Sequence, residues 1–126
     1  MVLNTDSMKP IYLQISEWIE NQILNNNILV NEKVFSQYQL AEMYNINPAT
    51  AGKGLSVLLN ENIIYKKRGL GMFVSPGAKE IIFKKRKNET LKNLITQLII
   101  EADRLNVSDE ELFQLIKSIK KNIKEE

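Results

Sequence analysis

The sequence predicts a mainly α-helical fold with one small β-hairpin, in which an N-terminal winged helix-turn-helix precedes a C-terminal αα-hairpin. Three observations support this class. Two short segments with helical periodicity follow a longer one, and a turn of about four residues separates them. Two β-prone segments then flank the glycine-containing turn RGLG. Two strongly amphipathic stretches complete the chain.

Helix start and stop signals delimit the first three helices. The segment PIYLQISEWIENQILNNN repeats its apolar residues at helical spacing and ends in three asparagines, which predicts the first helix. Ser36 is a suitable N-cap, and QYQLAEMY after it predicts a short second helix that closes at Asn45. The third helix follows almost at once, with Asn47 as N-cap and Pro48 in its first position. This pattern is typical of a helix-turn-helix.

A basic hairpin is predicted directly after the third helix. Residues 63–67 and 72–75 are β-prone, and residues 68–71 form the turn between them. The run KKR leads into the tip of this hairpin, which therefore has the place and the charge of a wing. The break Ser75-Pro76-Gly77 ends this region. We therefore predict a winged domain over residues 1–75 and a linker over 76–88.

The C-terminal region, residues 89–126, is predicted to form two amphipathic helices. Ser108 and Glu111 form a capping box for the second of them. The apolar stripe on this pair is too wide for two helices to cover, and two-fold homodimers are the commonest soluble oligomers. A homodimer is therefore expected to bury these stripe residues: Leu91, Leu94, Ile95, Leu98, Ile99, Leu105, Leu112, Leu115, Ile116 and Ile119.

The composition of the 126-residue chain excludes several kinds of catalytic and metal-binding site. With 44% hydrophobic and 25% charged residues it resembles ordinary globular proteins, but it has neither cysteine nor histidine. Thiol nucleophiles, thiolate metal sites and the commonest general base are therefore absent. We expect no enzyme activity, no metal site and no cofactor. With neither a membrane-length apolar stretch nor signal-peptide features, the sequence predicts a cytoplasmic protein without a membrane partner.

Positive charge is concentrated in two short runs, KKR at 66–68 and KKRK at 84–87, although the net charge is only +2. Local runs matter more than net charge for a nucleic-acid footprint. The first 75 residues carry six basic and six acidic side chains. Charge alone therefore favours an ordinary solvated surface over a binding site.

Three sequence segments, taken together, indicate a protein family more specifically than charge does. PIYLQISEWIENQIL, LAEMYNINPAT and IIYKKRGLGMFV resemble the N-terminal domain of GntR-family transcription regulators in order and spacing, over roughly residues 9–75. That family typically has P-I-Y-x-Q-I, L-A-x-x-x-x-I/V-N-P-x-T and G-x-G-x-F-V at these places. The N-P-x-T start, a basic residue three places after its threonine and the short two-helix tail are similar to the YtrA-like branch.

The resemblance implies a homodimeric repressor that binds a palindromic operator in double-stranded DNA, often that of its own operon and of neighbouring ABC transporter genes. It leaves room for a small-molecule effector at the dimer interface or between domains, which the sequence does not identify. At Tyr38 this chain departs from the family, many members of which have Arg there. The expected DNA-binding residues are Ser36, Gln37, Tyr38, Asn47, Pro48, Thr50, Lys53, Lys66, Lys67, Arg68, Gly69 and Gly71.

The third helix and the wing are the two parts expected to contact DNA. The third helix is expected to enter the major groove, and its free N–H groups and dipole would favour a phosphate near residues 47–50. The resemblance implies that the wing tip enters the minor groove. The competing hypothesis is a winged-helix protein-interaction module without DNA binding, which the electroneutral first domain and the missing arginine at Tyr38 support.

Two glycines inside the third helix raise a separate question. Gly52 and Gly54 flank Lys53, the one charged residue of that helix. An interior glycine destabilises a helix by about 1 kcal/mol relative to alanine. Either the bare backbone lets Lys53 approach DNA closely, or it lets two helices pack tightly; the sequence does not decide between them.

Overall fold

A computed structural model describes residues 3–125 and divides the chain into two compact units, Met1–Lys84 and Lys85–Glu126. The first unit contains α1 (Ile11–Leu24), α2 (Gln37–Tyr44), α3 (Pro48–Asn60), β1 (Ile64–Lys67), β2 (Gly71–Val74) and most of α4 (Ala78–Arg86). After a π-helical turn, Lys87–Leu91, the second unit contains α5 (Lys92–Arg104) and α6 (Asp109–Glu125). The fold class is therefore the predicted one, mainly helical with a two-stranded antiparallel sheet.

Packing of α1 against α3 dominates the core of the first unit. Both helices place their apolar faces there because each repeats its apolar residues every three to four positions. Trp18, Phe35 and Tyr44 form an aromatic cluster at the edge of this core, with ring centroids 5.5–5.7 Å from Trp18. Burial raises the pKa of the Tyr44 phenol. Fully buried core side chains include Ile15, Ile19, Leu40, Ala51, Leu55, Leu58, Ile63 and Val74.

Residues 76–88 differ from the expected linker. Most of them form α4, and two of its side chains, Ala78 and Ile82, are completely buried in the core of the first unit. The boundary between the two compact units lies at Lys84–Lys85, not at the Ser75-Pro76-Gly77 break. The break marks only a turn, because Gly77 has a φ of +83° and the Ala78 amide donates to the Ser75 carbonyl.

Residues 31–34 form backbone hydrogen bonds with the hairpin, which the sequence did not predict. The Asn31 and Val34 amides donate to the Val74 and Met72 carbonyls at 2.8 and 2.9 Å, and the Val74 amide donates to the Glu32 carbonyl at 3.0 Å. A loop was expected for residues 31–34, because one bridged residue, Lys33 opposite Phe73, leaves no alternating pattern to read. This added edge attaches the hairpin to the rest of the first unit.

Within residues 3–125 no helix is both long and apolar enough to cross a membrane. In the same part of the chain, no cluster of three or more His, Cys, Asp or Glu side chains is arranged to hold a metal ion.

Candidate nucleic-acid interface

Caps at the helix ends delimit α2 and start α3. Ser36 accepts from the Gln39 amide and the Gln39 side chain accepts from the Ser36 amide, which completes a capping box. Asn45 ends α2 in the left-handed conformation with φ +52°. The Asn47 side chain accepts from the Ala49 amide at 2.8 Å at the start of α3. These local contacts set both ends of α2 and the start of α3.

The first turn of α3 offers fewer free donors than expected. Pro48 has no N–H, the Ala49 amide is capped by Asn47, and the Thr50 and Ala51 amides donate to the Asn47 carbonyl at 3.0 and 3.2 Å. The expectation of free N–H groups near residues 47–50 is therefore wrong for residues 48–50. The helix dipole remains, and contact with an anion at this end would depend on side chains.

The seven predicted DNA-binding residues before the wing differ in how far their side chains are exposed to solvent. Tyr38 is 69% exposed, so it is available for contact and is not a packed aromatic. Asn47, Pro48 and Lys53 are also exposed, whereas Ser36, Gln37 and Thr50 are half-buried. All seven belong to α2, α3 or their caps, so the helix-turn-helix brings them into one element pair.

Both glycines of α3 lie close to other residues of the protein. A Cβ on Gly54 would lie 2.7 Å from the Tyr12 carbonyl oxygen and 3.1 Å from Ile15 Cγ2, both on α1. The Ser16 hydroxyl donates to the Gly54 carbonyl at 2.6 Å across the same contact. A Cβ on Gly52 would meet the end of the Gln37 side chain at 2.9 Å. Close helix–helix packing therefore explains Gly54.

We expect opposite stability changes from alanine at these glycines. Gly54→Ala should lower the free energy of unfolding by about 1–3 kcal/mol, because its methyl group collides with backbone. Gly52→Ala should be neutral or stabilising by up to about 1 kcal/mol, because Gln37 can move and alanine favours the helix. Urea denaturation followed by Trp18 fluorescence measures both; equal effects would contradict the packing explanation.

The wing carries its charges at one end. Lys66, Lys67 and Arg68 are exposed, and the Leu70 amide donates to the Lys67 carbonyl at 3.0 Å to close the turn. Gly69 has φ +78° with open space around it, which glycine adopts without strain. Gly71 has φ +114° and faces Lys33, whose Cε would lie 2.7 Å from an added Cβ.

Sequence reasoning missed three residues around this interface. Lys33 adds a cation beside the wing, and Asn31 accepts a hydrogen bond from the Tyr65 hydroxyl at 2.8 Å. Tyr12 on α1 lies against Lys53 of α3, with Nζ 4.2 Å from the ring centroid. No local pattern points to these residues, because each contact joins positions more than thirty apart in the chain.

The predicted dimer residues lie in the second unit, where little is covered. Within the described part of α5 and α6, Ala102 is the one buried residue. Leu112 is half-buried, and the other nine residues of the predicted stripe are 42–66% exposed. Exposed apolar patches of this extent mark interaction surfaces.

A capped helix-turn-helix followed by a basic hairpin defines a winged helix-turn-helix protein, of the class that regulates transcription. The HTH-type transcriptional repressor YtrA of Bacillus subtilis is 33% identical over 118 residues, which cover 94% of this chain and 90% of that repressor. The chain therefore belongs to the GntR family of transcription regulators, in its YtrA-like branch.

Other similarities agree with this assignment. The repressor NagR of Bacillus subtilis is 37% identical over 75 residues, which span 60% of this chain but only 31% of NagR. A GntR-family regulator from Bacteroides thetaiotaomicron has a solved structure that matches with a TM-score of 0.74 at 28% identity, over 89% of this chain and 97% of that one. The DNA-binding domain of AraR, solved in complex with an operator, matches with a TM-score of 0.52 at 27% identity over 58% and 89% of the two chains. No protein-family model matches this chain.

Proposed function

We propose that this protein is a homodimeric repressor that binds a palindromic operator upstream of its own gene, with neighbouring ABC transporter genes among its targets. The observation that carries this proposal is that one compact unit combines the solvent-exposed face of α3, with Lys53, and a basic wing. The name of the YtrA relative, a repressor, supports repression. The AraR complex supports operator DNA as the ligand.

In this proposal α3 lies in the major groove and the wing tip reaches the minor groove. Because the amides of the first α3 turn are occupied, side chains make the contacts. Thr50 and Tyr38 face the groove, and Lys53 meets a phosphate. The wing cations Lys66, Lys67 and Arg68 supply the remaining phosphate contacts.

Two copies are needed because four phosphate-binding cations per subunit provide modest affinity. A two-fold dimer doubles them and reads two half-sites whose centres are about 10 bp apart or a multiple of that. The exposed stripe of α5 and α6 is the proposed dimer interface, since its leucines and isoleucines lack a cover in the single chain. Their burial would stabilise the dimer by the hydrophobic effect.

Footprinting on the region upstream of the gene tests this function directly. We expect two protected half-sites related by two-fold symmetry. Eight phosphate contacts in the dimer predict that log K falls with log salt concentration with a slope of about −7. A flat salt dependence and no footprint would instead support the alternative, an interaction module without DNA binding.

A further inference from the structure

Lys53, the one cation of α3, lies against an aromatic ring of another helix. Its Nζ is 4.2 Å from the centroid of the Tyr12 ring on α1. A cation within about 6 Å of a ring centroid is attracted by the negative face of the ring. We propose that Tyr12 is a positioning residue for DNA binding, which holds the Lys53 ammonium ready to meet a phosphate. This inference rests on the proposed function.

The backbone explains why this contact forms. Gly54 has no side chain, so α3 approaches α1 at the Tyr12 carbonyl oxygen, and the Ser16 hydroxyl bonds the Gly54 carbonyl at 2.6 Å. Lys53 is the residue before this closest approach and Tyr12 begins the facing turn of α1. The glycine therefore places the lysine beside the ring, which gives Gly54 a role in the interface without any contact with DNA.

The aromatic ring is the part of Tyr12 that contacts Lys53. The Tyr12 hydroxyl forms no hydrogen bond within residues 3–125. An unrestrained lysine side chain loses conformational entropy, because several rotatable bonds become fixed when a phosphate immobilises it. A lysine already restrained on a ring has lost part of that freedom beforehand, so binding is favoured. Phenylalanine should therefore replace Tyr12, and leucine should not.

The wing shows the same arrangement at a second cation. Lys67 Nζ lies 4.9 Å from the Phe73 ring centroid and 5.9 Å from that of Tyr65. These two rings stack on each other as a cross-strand pair with centroids 5.8 Å apart. Within the described residues no ring lies over Lys66. The interface thus combines ring-supported and unsupported lysines.

Titration of labelled upstream DNA with Tyr12→Leu and Tyr12→Phe tests the proposal. Tyr12→Leu should weaken binding by about fivefold to thirtyfold in the two-subunit complex, and Tyr12→Phe should stay within about twofold of the unsubstituted protein. In a Lys53→Ala background Tyr12→Leu should have no further effect, because the lysine it positions is gone. In a Lys66→Ala background, the matched control, its full effect should remain.

Each other outcome overturns the inference. Equal losses for leucine and phenylalanine assign the effect to the hydroxyl and make Tyr12 a direct contact. An undiminished loss in the Lys53→Ala background means that Tyr12 acts without the lysine. Unchanged affinity for Tyr12→Leu removes any role for the ring. If the unsubstituted protein does not bind the DNA, it is the proposed function that fails. Thermal melting by Trp18 fluorescence verifies that each variant is folded.

Discussion

Leu98→Glu is expected to convert dimers into monomers and to weaken operator binding by about 10²- to 10⁴-fold. Leu98 lies in the exposed stripe on α5, and a carboxylate there would have to lose water if a second copy covered it. A monomer would bind only one half-site of the operator. Separating two linked binding modules lowers the overall affinity by about 10²- to 10⁴-fold. Light scattering measures the mass, and a fluorescence titration with labelled DNA measures the affinity.

Val30→Glu is the matched control for this substitution. Val30 is 48% exposed, close to the 42% of Leu98, but it lies in the first unit, outside the stripe. The same change of side chain there should leave the protein dimeric. Trp18 also lies in the first unit, and its fluorescence shows whether that unit stays folded. A dimer that persists in Leu98→Glu would place the interface elsewhere.

The double substitution Lys53→Ala with Arg68→Ala is expected to weaken operator binding by about a thousandfold. Each subunit would lose one phosphate contact from α3 and one from the wing tip, or four contacts per dimer. At about 1 kcal/mol each these sum to about three powers of ten. The slope of log K against log salt should become less negative by about 3.6, because four fewer counterions are released.

Lys120→Ala with Lys124→Ala removes the same charge from α6 and serves as the control. Both lysines are exposed in the second unit. Their loss should change the salt slope little if binding depends on the first unit. Equal losses of affinity in the two double variants would indicate a general effect of net charge and would argue against the assigned contacts.

Of the candidate site, the sequence predicted the parts that depend on neighbouring residues. The caps at Ser36 and Asn47, the left-handed Asn45 and the turn at Gly69 depend on local contacts and are confirmed. Gly71, predicted to lie in the same turn, is instead the first residue of β2. Free amides at residues 49 and 50 are not found, because the Asn47 side chain accepts from the Ala49 amide and the Asn47 carbonyl accepts from the Thr50 amide. Whether the predicted residues contact DNA remains a prediction.

The sequence by itself determined the fold class and the order of the helices and strands within residues 1–75, because helical periodicity, capping and turn chemistry act over a few residues. The resemblance of three segments to GntR-family regulators indicated the family. Only the tertiary structure decided that Gly54 faces α1, that Lys53 lies on Tyr12, that residues 31–34 extend the hairpin and that α4 replaces the expected linker. Each of these depends on contacts between segments far apart in the chain. Such contacts are set by how whole helices pack, which the local pattern of residues does not specify.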